Sequence, residues 1–132
     1  MAATRRAGGK RPPKTVKSAQ PHATLKAFTA VEIDHLAVTS HRSIEEIIAL
    51  LKEAGLEMLP GGGAEIMSDR IRNALFPEKI EGRRWLEIIE AVHSAGLWTN
   101  ATMLYGHIET LEERVEHLLK LRALQDRTGG CL

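Results

Sequence analysis

Two tripeptides, Ala54-Gly55-Leu56 and Ala95-Gly96-Leu97, stand 41 residues apart, each with an amphipathic stretch behind it and an apolar run ahead. A glycine just past a helix takes the left-handed backbone that ends it at no steric cost. Each tripeptide therefore reads as a helix–glycine–strand joint. Recurrent joints of this kind mark βα units and a parallel sheet. Joined by right-handed crossovers, they predict an α/β fold, a partial (β/α) TIM-type barrel of about three βα units forming an arc of parallel strands. A full barrel takes about 250 residues, so a chain of 132 residues is about half of one. Such an arc exposes strand edges and an inner face, which predicts marginal stability or self-association.

The local pattern fills in the units. Residues 24–31 read as a strand and 32–39 as a short helix with Ile33 and Leu36 on one face. Ser43-Ile44-Glu45-Glu46 is a capping box, in which the serine oxygen accepts from an orphan helix N–H and the glutamate reaches back. Ile44, Ile47, Ile48 and Leu51 then supply a helical stripe, and residues 56–59 a buried strand. Ser68 opens a helix that ends before Pro77, and Trp85, Leu86, Ile89 and Val92 mark another. Residues 97–105 are the next predicted strand. Thr110-Leu111-Glu112-Glu113 is a second capping box, opening a helix striped by Leu111, Val115, Leu118 and Leu119, with Gly129-Gly130 at its end. Trp85 and Trp98 are expected to pack in the core, and Glu112, Glu113, Arg114 and Glu116 to form a solvated helix face.

Charge divides the chain. Residues 1–20 hold six basic residues and no acid, whereas the rest holds 12 basic and 17 acidic residues, a net of −5. The basic segment has few large apolar side chains and cannot bury enough surface to fold. Residues 1–22 are accordingly expected to be a disordered leader, and 23–132 the folded domain. A nucleic-acid arm or an Arg-rich transit peptide would share this composition, but no aromatic is interleaved for base stacking. No apolar run approaches the ~18 residues of a membrane span. With one cysteine, Cys131, and no secretory signal core, a reducing, cytoplasmic setting is expected and a clustered-cysteine metal site within the chain is excluded.

In (β/α) folds the chemistry gathers at the carboxyl ends of the strands. Here those ends carry Thr29 and Glu32, then Gly61, Gly62, Gly63 and Glu65, then Asn100, Tyr105, His107 and Glu109. Three successive glycines let a ligand approach the backbone N–H groups closely, though a plain tight loop accounts for them equally well. His107 and Tyr105 supply acid–base or hydrogen-bonding groups, or a loop histidine and a packed ring. His35, His41, His93 and His117 have no partner at metal-ligand spacing and are expected at surface or satisfied positions. No dinucleotide, phosphate-loop, hydrolase-elbow or zinc motif is present.

Taken together, three stretches carry a resemblance: residues 26–33 (Lys-Ala-Phe-Thr-Ala-Val-Glu-Ile), 59–66 (Leu-Pro-Gly-Gly-Gly-Ala-Glu-Ile) and 99–110 (Thr-Asn-Ala-Thr-Met-Leu-Tyr-Gly-His-Ile-Glu-Thr). With residues 114–119 and 124–130 they resemble aminofutalosine synthase, a radical S-adenosylmethionine (SAM) enzyme family of menaquinone biosynthesis, over residues 25–130. Cyclic dehypoxanthine futalosine synthase and the deazaflavin-forming synthase share the general pattern, but Phe28-Thr29-Ala30-Val31-Glu32 favours the first. The resemblance implies a partial radical SAM barrel, a [4Fe-4S] cluster on a CxxxCxxC motif, and addition of a 5′-deoxyadenosyl radical to 3-[(1-carboxyvinyl)oxy]benzoate. Thr102-x-Leu104-x-Gly106-x-x-Glu109 resembles the family's GxIxGxxE pattern near adenine, with Thr102 and Leu104 in place of its first two named residues.

The departures from the family pattern are specific. CxxxCxxC is missing, and Leu75-Phe76-Pro77-Glu78-Lys79 stands where the family has Ile-Cys-Pro-Gly-Lys. The chain thus reads as an internal piece of the enzyme behind an unrelated leader, inactive by itself because one thiolate cannot hold a cluster. The competing reading is a binding or assembly module that kept the arc for SAM or a partner. A nucleic-acid binder has only residues 1–20 in its favour.

Overall fold

A computed structural model describes residues 13–132, with helices α1 (Pro13–Ala19), α2 (Ala30–Ser40), α3 (Ile44–Glu53), α4 (Asp69–Leu75), α5 (Gly82–Ser94) and α6 (Leu111–Thr128) and strands β1 (Met58–Leu59) and β2 (Trp98–Thr99). The strands pair in parallel, Met58 opposite Trp98 and Leu59 opposite Thr99. Single parallel bridges, Lys26 to Met58 and Thr99 to Cys131, extend the order on both sides. Four parallel positions therefore follow chain order, with α2 and α3, then α4 and α5, then α6 between them. Cys131 was not foreseen as a strand position.

Both Ala-Gly-Leu joints do what their sequence predicts. Ala54 and Ala95 cap α3 and α5, and Gly55 (φ +100°) and Gly96 (φ +77°) turn the chain toward the sheet. The N-caps at Ser43, Ser68 and Thr110 also fall where expected, the first and last as complete capping boxes. The predicted strands are longer than the real ones. Residues 24–31 contribute one bridge, because Thr29 and Glu32 make a third capping box and Ala30 and Val31 already belong to α2. Residues 97–105 pair only at Trp98–Thr99 before the chain leaves the sheet.

The core lies between the helices and the sheet, centred on Ile33, Ile48, Leu59, Trp85, Ile88, Ile89, Val92, Leu97 and Leu124. Helix α5 packs against α2, α3, α6 and β2. Burying side chains of this size removes about 1.5–3 kcal/mol each from water. Three expectations need correction. Trp98 is half exposed, since it lies on the outer face of a strand whose next residue, Thr99, is the buried one. The α6 stripe Leu111, Val115, Leu118 and Leu119 is solvent-exposed, and the helix buries His117 and Leu124 instead. Glu113 is no solvated acid: it accepts from Ser68 Oγ (2.6 Å), Arg70 Nη2 (2.6 Å) and the Thr110 N–H (2.8 Å), tying α4 to α6.

Residues 13–22 hold more structure than their composition suggests. Lys17, on α1, donates to Ala23 O (2.8 Å) and pairs with Glu57 beside β1. The remainder of the basic leader lies outside the described residues. Among the described residues, no helix is long and apolar enough to cross a membrane.

Candidate site at the strand ends

The carboxyl ends of the parallel segments bring Thr29, Gly61–Gly63 and Asn100 together, and the glycines are the reason they fit. A Cβ on Gly61 would lie 2.4 Å from Asn100 O, one on Gly62 3.1 Å from the Thr29 methyl, and one on Gly63 2.6 Å from a Val31 methyl. The space on the side-chain flank of the triplet is thus taken by the chain itself. Trp85 Nε1 donates to Gly62 O (3.2 Å), Thr102 Oγ1 to Gly61 O (2.9 Å) and Arg72 Nη2 to Gly63 O (3.2 Å), so all three of the triplet's carbonyls are already engaged. Thr29 and Glu32 cap α2: Thr29 N–H donates to Glu32 Oε2 (2.9 Å), and Glu32 N–H to Thr29 Oγ1 (3.3 Å). Their position at the site is structural in origin.

Asn100 is different. It follows β2 directly, and its buried Oδ1 has no hydrogen-bond partner. A buried acceptor left unpaired costs about 1–3 kcal/mol, and unpaired polar atoms in native folds call for an explanation such as a ligand. The fully buried His117 of α6 also has both ring nitrogens unpaired. Burial, and more weakly the charges of Arg72 and Lys120, press its pKa down, with the nearby Thr102 backbone opposing. His117 was expected at a satisfied or surface position, and the structure corrects this. His93 does meet the expectation, bonded to Thr99 Oγ1 (2.8 Å) and Thr128 Oγ1 (2.6 Å).

Glu65 lies on the loop between β1 and α4. Its backbone is left-handed (φ +44°), which a side-chain-bearing residue seldom adopts, and its carboxylate takes a 2.6 Å ion pair from Lys79. The carbonyl of Glu65 accepts from Leu104 N–H (2.8 Å), linking this loop to the one after β2. Lys79 was visible in the sequence only as part of a stretch that departs from the family pattern. Arg72, whose guanidinium is buried against the same loop, had no sequence signal, because arginine on a short helix ordinarily faces water.

Tyr105 and His107 lie on a separate, exposed turn, which the shielded carboxylate of Glu109 closes. Glu109 accepts from the N–H groups of Gly106 (2.6 Å) and His107 (2.9 Å) and pairs with Arg114 (2.7 Å), which also lies over the Tyr105 ring. The Gly106 and His107 N–H groups and Arg114 hold the Glu109 carboxyl at about 2, despite burial. So saturated a carboxylate stabilises the turn and is poorly placed to serve as a base. A groove of about 510 Å³ lies elsewhere, between α3 and α5, lined by Ile48, Ala49, Lys52, Ala91 and Ala95.

Among the described residues no group of three or more His, Cys, Asp or Glu side chains could hold a metal ion. A [4Fe-4S] cluster does not fit the residues present: Cys131 is the single cysteine, set beside Thr99 at a sheet bridge. A ligand with an N–H or O–H donor does fit Asn100, whose buried Oδ1 is unpaired.

Parallel βα units, with polar groups at the carboxyl ends of their strands, define the class, an α/β domain. No protein-family model matches the chain. Aminodeoxyfutalosine synthase of Thermus thermophilus is 49% identical over 119 residues, which is 90% of this chain and 32% of that protein. The 5-amino-6-(D-ribitylamino)uracil–L-tyrosine 4-hydroxyphenyl transferase 2 of Methanosarcina mazei is 43% identical over 117 residues, 89% of this chain and 30% of the other. The corresponding transferase of Methanococcoides burtonii is 42% identical over 117 residues and is covered to 33%. The chain spans about a third of the length of these curated relatives. Over that stretch its sequence is similar to aminodeoxyfutalosine synthase and to these transferases.

Proposed function

We propose that residues 23–132 are the central βα units of a radical SAM barrel that makes aminodeoxyfutalosine from SAM and 3-[(1-carboxyvinyl)oxy]benzoate. The observation that carries this reading is the 49% identity maintained across 90% of the chain. Asn100 supports it physically. Its unpaired Oδ1 accepts from an amine or hydroxyl of the bound reactant, and an amide N–H₂ beside it can donate to a carboxylate or ether oxygen. Glu65, braced by Lys79, presents its other oxygen to a hydroxyl. Thr29 and the glycine triplet shape the floor. When bound with a cluster, SAM supplies the radical chemistry. The residues here orient the reactant and exclude water, and no step is assigned to a cluster they do not hold.

The test is a graft. Residues 25–130 replace the matching stretch of the Thermus thermophilus enzyme, and aminodeoxyfutalosine formation is measured anaerobically. Product formation is expected; a folded, cluster-loaded graft without product overturns the reading. The second reading has support in the 43% identity to the Methanosarcina mazei transferase. It predicts instead that a graft into that protein accepts L-tyrosine and 5-amino-6-(D-ribitylamino)uracil, and that the first graft is inactive.

A further inference from the structure

Arg72 is 3% exposed, and a guanidinium has five N–H groups in a fixed plane. All five go to main-chain carbonyls. Nη1 donates to Ala64 O (2.8 Å) and Ile66 O (3.1 Å), Nη2 to Gly63 O (3.2 Å) and to Ile80 O, and Nε also to Ile80 O (3.2 Å). The ordinary use of a buried arginine is a carboxylate pair, and the two nearest acids, Glu65 and Asp69, act on this one only through space. Burial pulls its pKa below the usual arginine value, so the group is kept at a cost that helix α4 alone does not require.

Three of the five bonds go to the loop around Glu65 and two to Ile80. Ala64 O and Ile66 O flank Glu65, the residue with left-handed backbone, so the guanidinium grips the loop on both sides of its strained position. Strained backbone persists where surrounding contacts over-determine it, and it concentrates at functional sites. From Ile80 the same guanidinium reaches the chain next to Lys79, whose ammonium holds the Glu65 carboxylate. A lysine at position 72 would have three donors on one centre and could not span four carbonyls.

We propose that Arg72 is a positioning residue: its grip on the carbonyls either side of Glu65 fixes residues 63–66 so that the Glu65 carboxylate is presented at the strand ends. The functional half of this rests on the reading of Glu65 as reactant-facing, given above. The loop half stands alone, and the experiment separates the two. Amide hydrogen exchange is followed by mass spectrometry on the full chain and its Arg72→Lys, Glu65→Gly and doubly substituted forms. In Arg72→Lys, peptides covering 60–68 and Leu104 should exchange at least tenfold faster, while 44–53 and 82–94 stay within twofold of the parent. In the Glu65→Gly background the same change should accelerate the loop less, because glycine takes the left-handed conformation at no steric cost. An unchanged loop in Arg72→Lys, protection lost throughout the chain, or equal acceleration in both backgrounds overturns the proposal.

In the active graft, Arg72→Lys should raise KM for the benzoate substrate at least tenfold with kcat within threefold, a split that general destabilisation does not produce. Loosened exchange with unchanged KM and kcat would mean the loop positions nothing the reaction uses, and would overturn the functional half. A parent graft without turnover would remove the proposed function and leave the exchange result to decide the role of Arg72 in the loop.

Discussion

Alanine at Gly61, Gly62 and Gly106 should give three different answers, because the three positions differ in what a methyl group meets. At Gly61 the new Cβ would lie 2.4 Å from Asn100 O and 2.7 Å from Ala101 Cα, both backbone, so the loop after β2 must move. Overpacking against backbone costs about 1–3 kcal/mol. At Gly62 the nearest atom is a Thr29 methyl at 3.1 Å, a side chain able to yield. Replacing glycine by alanine also restricts the unfolded chain, a gain of about 0.4–1 kcal/mol, so Gly62→Ala should come out near neutral. At Gly106 nothing lies within 4 Å but φ is +95°, and the left-handed conformation costs an alanine about 1–2 kcal/mol, for a net loss of about 1. Urea unfolding at pH 7 measures all three. With each kcal/mol worth roughly 4 °C in a chain of this size, thermal melts give a second reading. Equal stability of Gly61→Ala and Gly62→Ala would refute the claim that the strand-end loops are packed on the triplet.

Stability should also fall in acid, between about pH 4.5 and 2. The carboxyls of Glu109 and Glu113 are held at about 2 in the folded chain, against an ordinary 4.5, by N–H donors with Arg114 and by Arg70 and Ser68. Groups depressed on folding lend stability that is present above the unfolded value and is lost as pH drops toward the folded one. Glu113→Gln should flatten the denaturation midpoint across that window, and an unaltered acid limb would contradict this. Anaerobic reconstitution of the isolated chain should leave no [4Fe-4S] absorbance and yield no 5′-deoxyadenosine, since Cys131 is one thiolate where three are needed. Stoichiometric iron with turnover would refute this.

How much of this was legible in the sequence depended on range. Helix ends are written locally, and Ser43, Ser68 and Thr110 cap where their spacing predicts. The one box overlooked, Thr29 to Glu32, was masked by the β-rich look of Phe28-Thr29-Ala30-Val31, and it shortened the first strand to a single bridge. Strand lengths were over-read because pairing of Met58 with Trp98 is a contact across 40 residues that no local pattern reports. Periodicity found an apolar face on α6 but not its partner: Leu111, Val115, Leu118 and Leu119 meet water while His117 and Leu124 are buried. At the site, Asn100 was legible from its place after a strand. Arg72 was not, since its role is defined by carbonyls at residues 63, 64, 66 and 80, visible only once the loop is folded around it.

The central claim is that the strand ends form a reactant-binding surface around Asn100, and its most direct measurement is turnover of the graft carrying Asn100→Ala. Loss of a buried hydrogen bond to the reactant is worth about 1–3 kcal/mol, which is roughly ten- to a hundredfold in rate or affinity. The free protein has no partner at Asn100 Oδ1 to lose, so folding should be unaffected. Aminodeoxyfutalosine formation should therefore fall at least tenfold, with cluster content and melting temperature unchanged. Turnover within twofold of the parent graft would contradict the account.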